Sequence, residues 1–246
     1  MSTTCTPLAF SGRHIDASWI QNAREYHAAG RSIIVNVGIT EASLLNFVVP
    51  QVGEVIHAPA RLRAWHSTLL QDGVVESADS LVVLRVREPR NIGSIIREPG
   101  WKLYSETLDQ TSPFPRDTPL YISPQHELGT VSLDPFEFAG QSASGKKETL
   151  TLKVNLWYAP PSTDCFIHTL HPFLEVHTQV RGTGRMQKFR KQEEATLYED
   201  VIMSPGWTHE PFFVVDVKRG LDYPWHRYFA DTDCIWMAIE LHRPKC

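Results

Sequence analysis

Hydrophobic residues near the start of the chain recur at the three- and four-residue spacing of an amphipathic helix. The residues that keep this spacing are Trp19, Ile20, Ala23 and Tyr26. Asp16 or Ser18 can cap the segment and Gly30 can end it, so a short helix is predicted here. Residues 32–37 and 80–86 are instead rich in branched side chains, and these runs predict strands.

The pattern changes after a proline-rich stretch. From about Pro119 onward, short runs of Val, Leu, Phe, Thr and Tyr alternate with turn residues, as in β-sandwiches and barrels. We therefore divide the chain into an N-terminal α+β extension, residues 1–115, and a mainly β barrel, residues 116–246. The strands predicted in the barrel are residues 129–138, 148–158, 173–181, 185–190, 194–203, 209–216 and 234–241.

Candidate chemistry is concentrated in residues 168–184, which read HTLHPFLEVHTQVRGTG. Successive side chains of a strand alternate between its two faces, so Glu175, His177 and Gln179 share one face. His171 has the same parity. The glycines at the end of the segment allow a tight reversal of the chain. Three potential metal ligands, His171, Glu175 and His177, are therefore predicted to face the same side.

A fourth candidate, His209, follows a predicted turn at Pro205 and Gly206. Imidazoles and a carboxylate together form a donor set that suits a divalent metal. Burying Glu175 among imidazoles without a cation would be costly, which favours a metal site over a structural role. The predicted ligands are His171, Glu175, His177 and His209. We expect one divalent metal, with iron first and zinc, manganese, nickel or copper as alternatives.

These motifs resemble those of the cupin superfamily. The first cupin motif is a glycine, then His-x-His, three or four residues, a glutamate, six residues and a glycine. Here Glu175 is followed by six residues and Gly182, and His171 fits the second histidine. The second motif, Pro-x-Gly-x-x-His, is matched loosely by residues 205–209, which have one residue fewer between proline and glycine.

The sequence departs from the cupin pattern at the first histidine, where strict spacing falls on Thr169. Either His168 takes that place through a local bulge, or His177 completes the set from the face of Glu175, and we prefer His177. The resemblance covers about residues 120–241 and implies a double-stranded β-helix, or jelly-roll, barrel. It also implies a homodimer. A degenerate second copy of the barrel is the alternative to an α+β extension for the N-terminal part.

Composition narrows the classes of partner. A net charge of -4 and an isoelectric point near 6.3 argue against a nucleic-acid surface, which needs clustered Lys and Arg. The sequence has neither an apolar run long enough to span a membrane nor a secretory signal at its start. Its 4 cysteines are scattered, as in proteins of a reducing compartment. We expect a cytoplasmic protein that acts on a small molecule.

Other residues are candidates for catalysis and for substrate binding. His226, Lys188 and Tyr198 are candidate acids or bases, although packing or a solvated strand face would explain each of them too. The candidates for the substrate pocket are Gln179, Trp207, Phe213 and Trp236. Aromatic side chains beside a metal would form an apolar pocket with few polar groups. Such a pocket suits an aromatic or polyketide-like substrate better than a hydrated sugar.

Three hypotheses of function follow. The first is a non-haem metal dioxygenase that acts on an aromatic or polyketide-derived small molecule, an arrangement that several cupins resemble. The second is a redox-neutral isomerase, cyclase or dehydratase that uses the metal as a Lewis acid, as uronate and sugar isomerases among the cupins do. The third is a non-catalytic cupin that binds a small molecule.

Overall fold

The computed structural model describes residues 2–45, 60–169, 171–216 and 220–244. They divide into two compact units, residues 1–89 and residues 90–246. Both units are mainly β, which was predicted for the C-terminal unit, whereas an α+β extension was predicted for the N-terminal one. The division falls before the predicted one at residue 115, because residues 90–115 pack with the C-terminal unit.

The described residues of the N-terminal unit form five strands in the order β1-β2-β5-β3-β4, and two of them are long. The strands are β1 (Thr4–Pro7), β2 (Ile15–Asn36), β3 (Ala42–Leu45), β4 (Ala60–Leu62) and β5 (Ser67–Val86). The helix predicted around residues 19–26 is wrong, since this segment lies within β2. Left-handed backbone at Asn22 (φ 50°) and Glu25 (φ 49°) interrupts the alternation of faces. Buried Ile20 and Ala23 are therefore three residues apart and imitate helical spacing.

The two long strands each run through both layers of a small sandwich. Residues 15–21 of β2 pair with residues 80–86 of β5, whereas residues 23–28 pair with residues 73–78. Residues 33–36 pair on one side with residues 81–84 and on the other with residues 67–69.

Eight segments result, numbered 1 to 8 along the chain. They are residues 15–21, 23–28, 33–36, 43–45, 60–62, 67–69, 73–78 and 80–86. Their order is 1-8-3-6 in one sheet and 2-7-4-5 in the other. This is the strand order of a jelly roll. The N-terminal unit therefore has the fold expected of a second copy of the barrel, which was the alternative prediction, and is not an α+β extension.

The C-terminal unit is a larger all-β body with short helical turns. Its strands are β6 (Lys102–Leu103), β7 (Tyr121–Ile122), β8 (His126–Leu133), β9 (Glu148–Ala159), β10 (Thr163–Asp164), β11 (Phe173–Arg181), β12 (Gly184–Phe189), β13 (Leu197–Met203), β14 (Val214–Asp216), β15 (Gly220–Asp222), β16 (Trp225–Ala230) and β17 (Cys234–His242). Its helical segments are the 3-10 turns Ile92–Arg97, Tyr104–Thr107 and Glu194–Thr196 and the α-helix α1 (Pro135–Phe138). No helix among the described residues is long and apolar enough to cross a membrane.

The same strand order recurs in this unit. One sheet has the order β11-β17-β9-β7-β6, with β8 also on β9, and the other has the order β10-β16-β12-β13. Thr208 forms a bridge with Thr178 of β11 and so adds a further segment to the first sheet. Counting β9 as the first strand and β17 as the eighth, the sheets read 1-8-3-6 and 2-7-4-5. The predicted jelly roll is confirmed for this unit.

The core of this unit lies between its two sheets. Trp236 and Ala159 of one sheet belong to the same buried cluster as Met186 and Tyr228 of the other. The predicted strand at residues 209–216 is confined to β14. Strand β16, which was not among the predicted strands, is an inner strand of the second sheet.

Candidate metal centre and its cavity

Three histidines meet at one point inside the C-terminal unit. The Nε2 atom of His171 lies 2.9 Å from Nε2 of His168 and 2.9 Å from Nε2 of His226. His226 belongs to β16, and His168 pairs with it through two backbone hydrogen bonds that continue the β10–β16 ladder. His171 precedes β11. The jelly roll thus brings together His168 and His226 from two adjacent strands and His171 from the connection between β10 and β11.

Hydrogen bonds fix which nitrogen of each outer ring carries the proton. Nδ1 of His168 donates to the carbonyl of Phe166 at 2.8 Å, and Nδ1 of His226 donates to the carbonyl of Pro224 at 2.8 Å. A carbonyl oxygen only accepts, so Nε2 of each neutral ring keeps a lone pair. His171 can donate to one of these lone pairs at most. At least one pair of Nε2 atoms therefore needs a cation between them.

Burial disfavours a proton as that cation. Removal from water lowers the pKa of His168, lowers the pKa of His171 to about 4, and lowers the pKa of His226 well below its usual value. The rings are therefore neutral near pH 7. Nitrogen ligands of a divalent metal lie about 2.1 Å from it, so two at right angles are about 3.0 Å apart. The observed 2.9 Å separations fit this arrangement.

Glu175 of β11 supplies a carboxylate to the same cluster. Its Oε1 atom lies 3.4 Å from Nε2 of His171 and has no hydrogen-bond partner among the described residues. Its Oε2 atom accepts a hydrogen bond from Nε2 of His177 at 3.1 Å. Burial alone would raise the pKa of Glu175, but the neighbouring His171 and His177 hold it well below its usual range. An ionised, partly unsatisfied carboxylate beside three imidazole lone pairs fits a divalent metal.

The structure brings together only part of the predicted ligand set. His171 and Glu175 meet, and they are joined by His168, which was the rejected alternative, and by His226, which was predicted as an acid or base. His177 lies beside the cluster, where its ring stacks on Tyr228 with centroids 4.2 Å apart.

The structure places His209 outside the cluster. Its Nδ1 atom donates to the carbonyl of Glu210 at 2.8 Å. Its Nε2 atom accepts from the backbone N–H of His177 at 2.9 Å and from the hydroxyl of Tyr228 at 2.7 Å. Burial lowers the pKa of His209 to about 3. This lone pair is already used, so the geometry does not support His209 as a ligand, and the ring instead braces Tyr228.

The other two candidate acid–base residues do not take part in the cluster. Lys188 is the cross-strand neighbour of His226, but its Nζ atom donates to Glu199 at 2.9 Å and lies 5.7 Å from the ring centre of Phe212. Tyr198 is 45% exposed on β13, at the edge of its sheet.

A cavity of about 370 Å³ leads to the histidines. Trp236, a predicted pocket residue, lines it. The other three do not: Gln179 is buried and donates to the carbonyl of Arg181, Trp207 is 37% exposed, and Phe213 packs on Tyr223. The cavity is lined by Tyr104, Leu108, Ser112, Pro113, Phe114, Leu120, Trp157, Cys165, Phe166, His168, His171, Pro172, Phe173, Glu175, His177, Tyr228 and Trp236.

Residues 104–120 form one wall of this cavity and were missed by the sequence analysis. Tyr104 packs edge-on against Phe114 and Trp157, with ring centres 4.9 and 4.7 Å apart. This proline-rich segment was taken as the end of an extension and the start of a barrel. Its two aromatic residues, Tyr104 and Phe114, were the available signal, because connecting segments of a rigid scaffold commonly carry binding residues.

The C-terminal unit is a jelly roll, the fold class that includes cupin-type barrels, and three histidines and one glutamate meet at one end of its cavity. Similar solved structures include a "Cupin 2 conserved barrel domain protein" from Leptotrichia buccalis, with 8% identity over 98% of this chain and 89% of that one, at a TM-score of 0.28. An oxalate decarboxylase shows 12% identity over 94% of this chain and 70% of that one, at a TM-score of 0.31.

The Escherichia coli ribosomal oxygenase YcfD shows 13% identity at a TM-score of 0.27. The match covers 37% of this chain and 24% of YcfD, so it spans about a quarter of that protein. No family model and no curated protein matches the sequence. Identities and TM-scores this low carry no argument about function. The fold is assigned from the strand order of the two units, and the site from the distances between its side chains.

Proposed function

We propose that the C-terminal unit is a cupin metalloenzyme that holds one divalent metal between His168, His171, Glu175 and His226. The observation that carries the proposal is the convergence of buried imidazole lone pairs, 2.9 Å apart, beside a carboxylate oxygen that lacks a partner. Protein groups supply four donors, and a divalent ion of up to six ligands keeps positions for small molecules.

The proposed reaction is oxygenation of an aromatic or polyketide-derived small molecule. A redox metal such as iron, when bound here, supplies sites for dioxygen and for a substrate oxygen. The lining of the cavity is mainly apolar and offers few hydrogen-bond partners to water near the reacting atoms. Aromatic side chains, including Phe114 and Trp157, offer faces and edges to a planar substrate.

Residues around the donor set hold it in place. His177 donates to Glu175 and so fixes the orientation of the carboxylate. The hydroxyl of Tyr223 accepts from the backbone N–H of Glu175 at 2.9 Å and donates to the carbonyl of Phe173 at 3.2 Å. The ring of Tyr223 lies 4.6 Å from that of His171, centre to centre. These contacts restrict the carboxylate and one imidazole to a single arrangement.

Metal analysis of untagged protein tests the proposed centre. Wild-type protein is expected to hold about one metal ion per chain, and His168→Ala and His226→Ala are expected to lose it. His209→Gln is the informative comparison, because the sequence motif assigns His209 as a ligand and the geometry does not. His27→Ala, an exposed histidine of the N-terminal unit, is the control. Full metal content in His226→Ala, or loss of metal in His209→Gln alone, would contradict the proposal.

Oxygen consumption separates the reaction classes. Iron-loaded protein is expected to consume dioxygen in proportion to a phenolic or enolic substrate. Turnover by zinc-loaded protein without oxygen would instead establish the redox-neutral isomerase, cyclase or dehydratase. If wild-type protein holds no stoichiometric metal, the remaining hypothesis is a non-catalytic barrel that binds a small molecule.

A further inference from the structure

The cavity has two chemically different ends. At one end lie the histidines and Glu175, and at the other lie Tyr104, Phe114 and Trp157. Phe166 connects them, since its ring centre lies 6.0 Å from Phe114 and its plane is within 7° of the ring of His168. A ligand that fills the cavity therefore has its polar part at the histidines and its body among aromatic rings.

Charge inside the cavity is confined to the histidine end. No lysine or arginine is found among the described residues that line it, and Glu175 is the lining residue that carries a full charge. A divalent metal with one glutamate leaves a net positive charge, which can accept one anionic oxygen at that end. Among the described residues, the aromatic end offers the hydroxyls of Tyr104 and Ser112 as hydrogen-bond donors but no charged group that would pair with a second anion.

The nearest cation on the aromatic wall is already bound elsewhere. The guanidinium group of Arg116 donates to the carbonyls of Ser105 and Asp109 and, at 3.4 Å, to that of Leu108. The side chain of Asp109 accepts from the backbone N–H and the hydroxyl of Thr111, at 2.9 and 2.6 Å. These hydrogen bonds connect residues 105–116 on the side of the wall that faces away from the cavity. Arg116 is exposed and does not line the cavity.

We infer that the cavity selects flat molecules that carry one oxygen donor at the metal end and no charge on the rest of the molecule. Residues 104–120 set this preference. A carboxylate placed among Tyr104, Phe114 and Leu108 would lose its hydration without gaining a counter-ion. Neutral bicyclic phenols or enols fit the volume of about 370 Å³, whereas dicarboxylates and aryl acids with a distal carboxylate are rejected. The inference depends on the proposed metal centre only for which end of the ligand is polar.

Three probes of nearly equal shape test this selectivity by calorimetric titration. They are 2-naphthol, naphthalene-2,6-dicarboxylate and the monomethyl ester of that acid. The acid places a carboxylate at the aromatic end in either orientation. The naphthol and the ester are expected to bind with affinities within about threefold of each other, and the acid at least about tenfold more weakly. The ester controls for the size of the distal group. Equal binding of the acid and the ester, or no binding of any probe, would overturn the inference.

A charge introduced into the wall should reverse the preference. Leu108→Lys places an ammonium group on a lining position and is expected to strengthen binding of the acid by about tenfold while changing naphthol binding little. Gln110→Lys adds the same charge at an exposed position of the same segment and should change neither. If both variants strengthen acid binding equally, general electrostatics and not the cavity wall sets the selectivity.

The same titrations in metal-free and metal-loaded protein separate this inference from the proposed function. Because the aromatic wall carries the discrimination, the preference for the ester over the acid is expected in both forms. Loss of discrimination in metal-free protein would overturn the role of the wall. A protein that never holds metal but keeps the preference would refute the metal centre and leave the cavity selectivity standing.

Discussion

The buried histidines make the metal-free protein sensitive to acid. In the folded chain the pKa of His171 falls to about 4 because burial disfavours its charged form, whereas an unfolded histidine has its ordinary value of 6.5. The unfolded state therefore binds more protons between these values, and stability falls as the pH decreases through this window. At pH 5 the unfolded ring is almost fully charged and the folded ring almost neutral. His171 alone then costs about 2 kcal/mol relative to pH 7.5.

Urea unfolding at pH 7.5 and pH 5.0 measures this cost in metal-free protein. The pKa values of His168 and His226 are lowered for the same reason, so the whole cluster adds to the loss in the same direction. The variant His171→Asn removes one titrating ring, and its loss of stability on acidification is expected to be smaller by about 2 kcal/mol. His27→Asn should behave as wild type. An equal loss in His171→Asn and wild type would refute the view that His171 is buried and neutral.

Three further predictions concern packing, ligand orientation and assembly. A Cβ atom at Gly184 would lie 2.6 Å from Cζ2 of Trp236, so Gly184→Ala is expected to destabilise the unit by about 1–3 kcal/mol, measured by urea unfolding. Tyr223→Phe removes both hydrogen bonds to β11 and should weaken metal affinity about tenfold, measured by competition with a chelator. Edge strand β13 exposes Ile202 by 60%, so a homodimer of the 28.0 kDa chain should form there, and Ile202→Lys should give monomers in light scattering.

The sequence predicts the C-terminal strands well because most of them follow simple rules. Strands β9, β11 and β17 are continuous apolar or alternating runs bounded by turns, and the structure has them within a residue or two of the predicted limits. The same rules fail for the N-terminal unit. Its long strands change sheets at kinks such as Asn22 and Gly30, and each kink shifts the phase of the alternating pattern.

The candidate site was predicted only in part, for a geometric reason. Parity along one strand correctly places Glu175 and His177 on one face, but facing the same side does not establish a common centre. His226 reaches the centre because β16 pairs with the segment of His168, a contact between residues 58 positions apart in the sequence. No local spacing encodes that pairing. The loose second motif drew attention to His209 instead, whose lone pair is used by Tyr228 and a backbone amide.

The two units share a strand order but differ in what fills the matching positions. In the C-terminal unit the second and seventh strands of the jelly roll carry the bridge between His168 and His226. The corresponding segments of the N-terminal unit pair Ala23 with Ala78 and Ala28 with Gly73. Alanine and glycine supply no side-chain donor, and His27, which pairs with Val74 in the same segments, is exposed. Among the described residues, the histidines, cysteines and carboxylates close enough to hold a metal are His168, His171 and His226, so the expected stoichiometry is one metal per chain although the chain contains two jelly rolls.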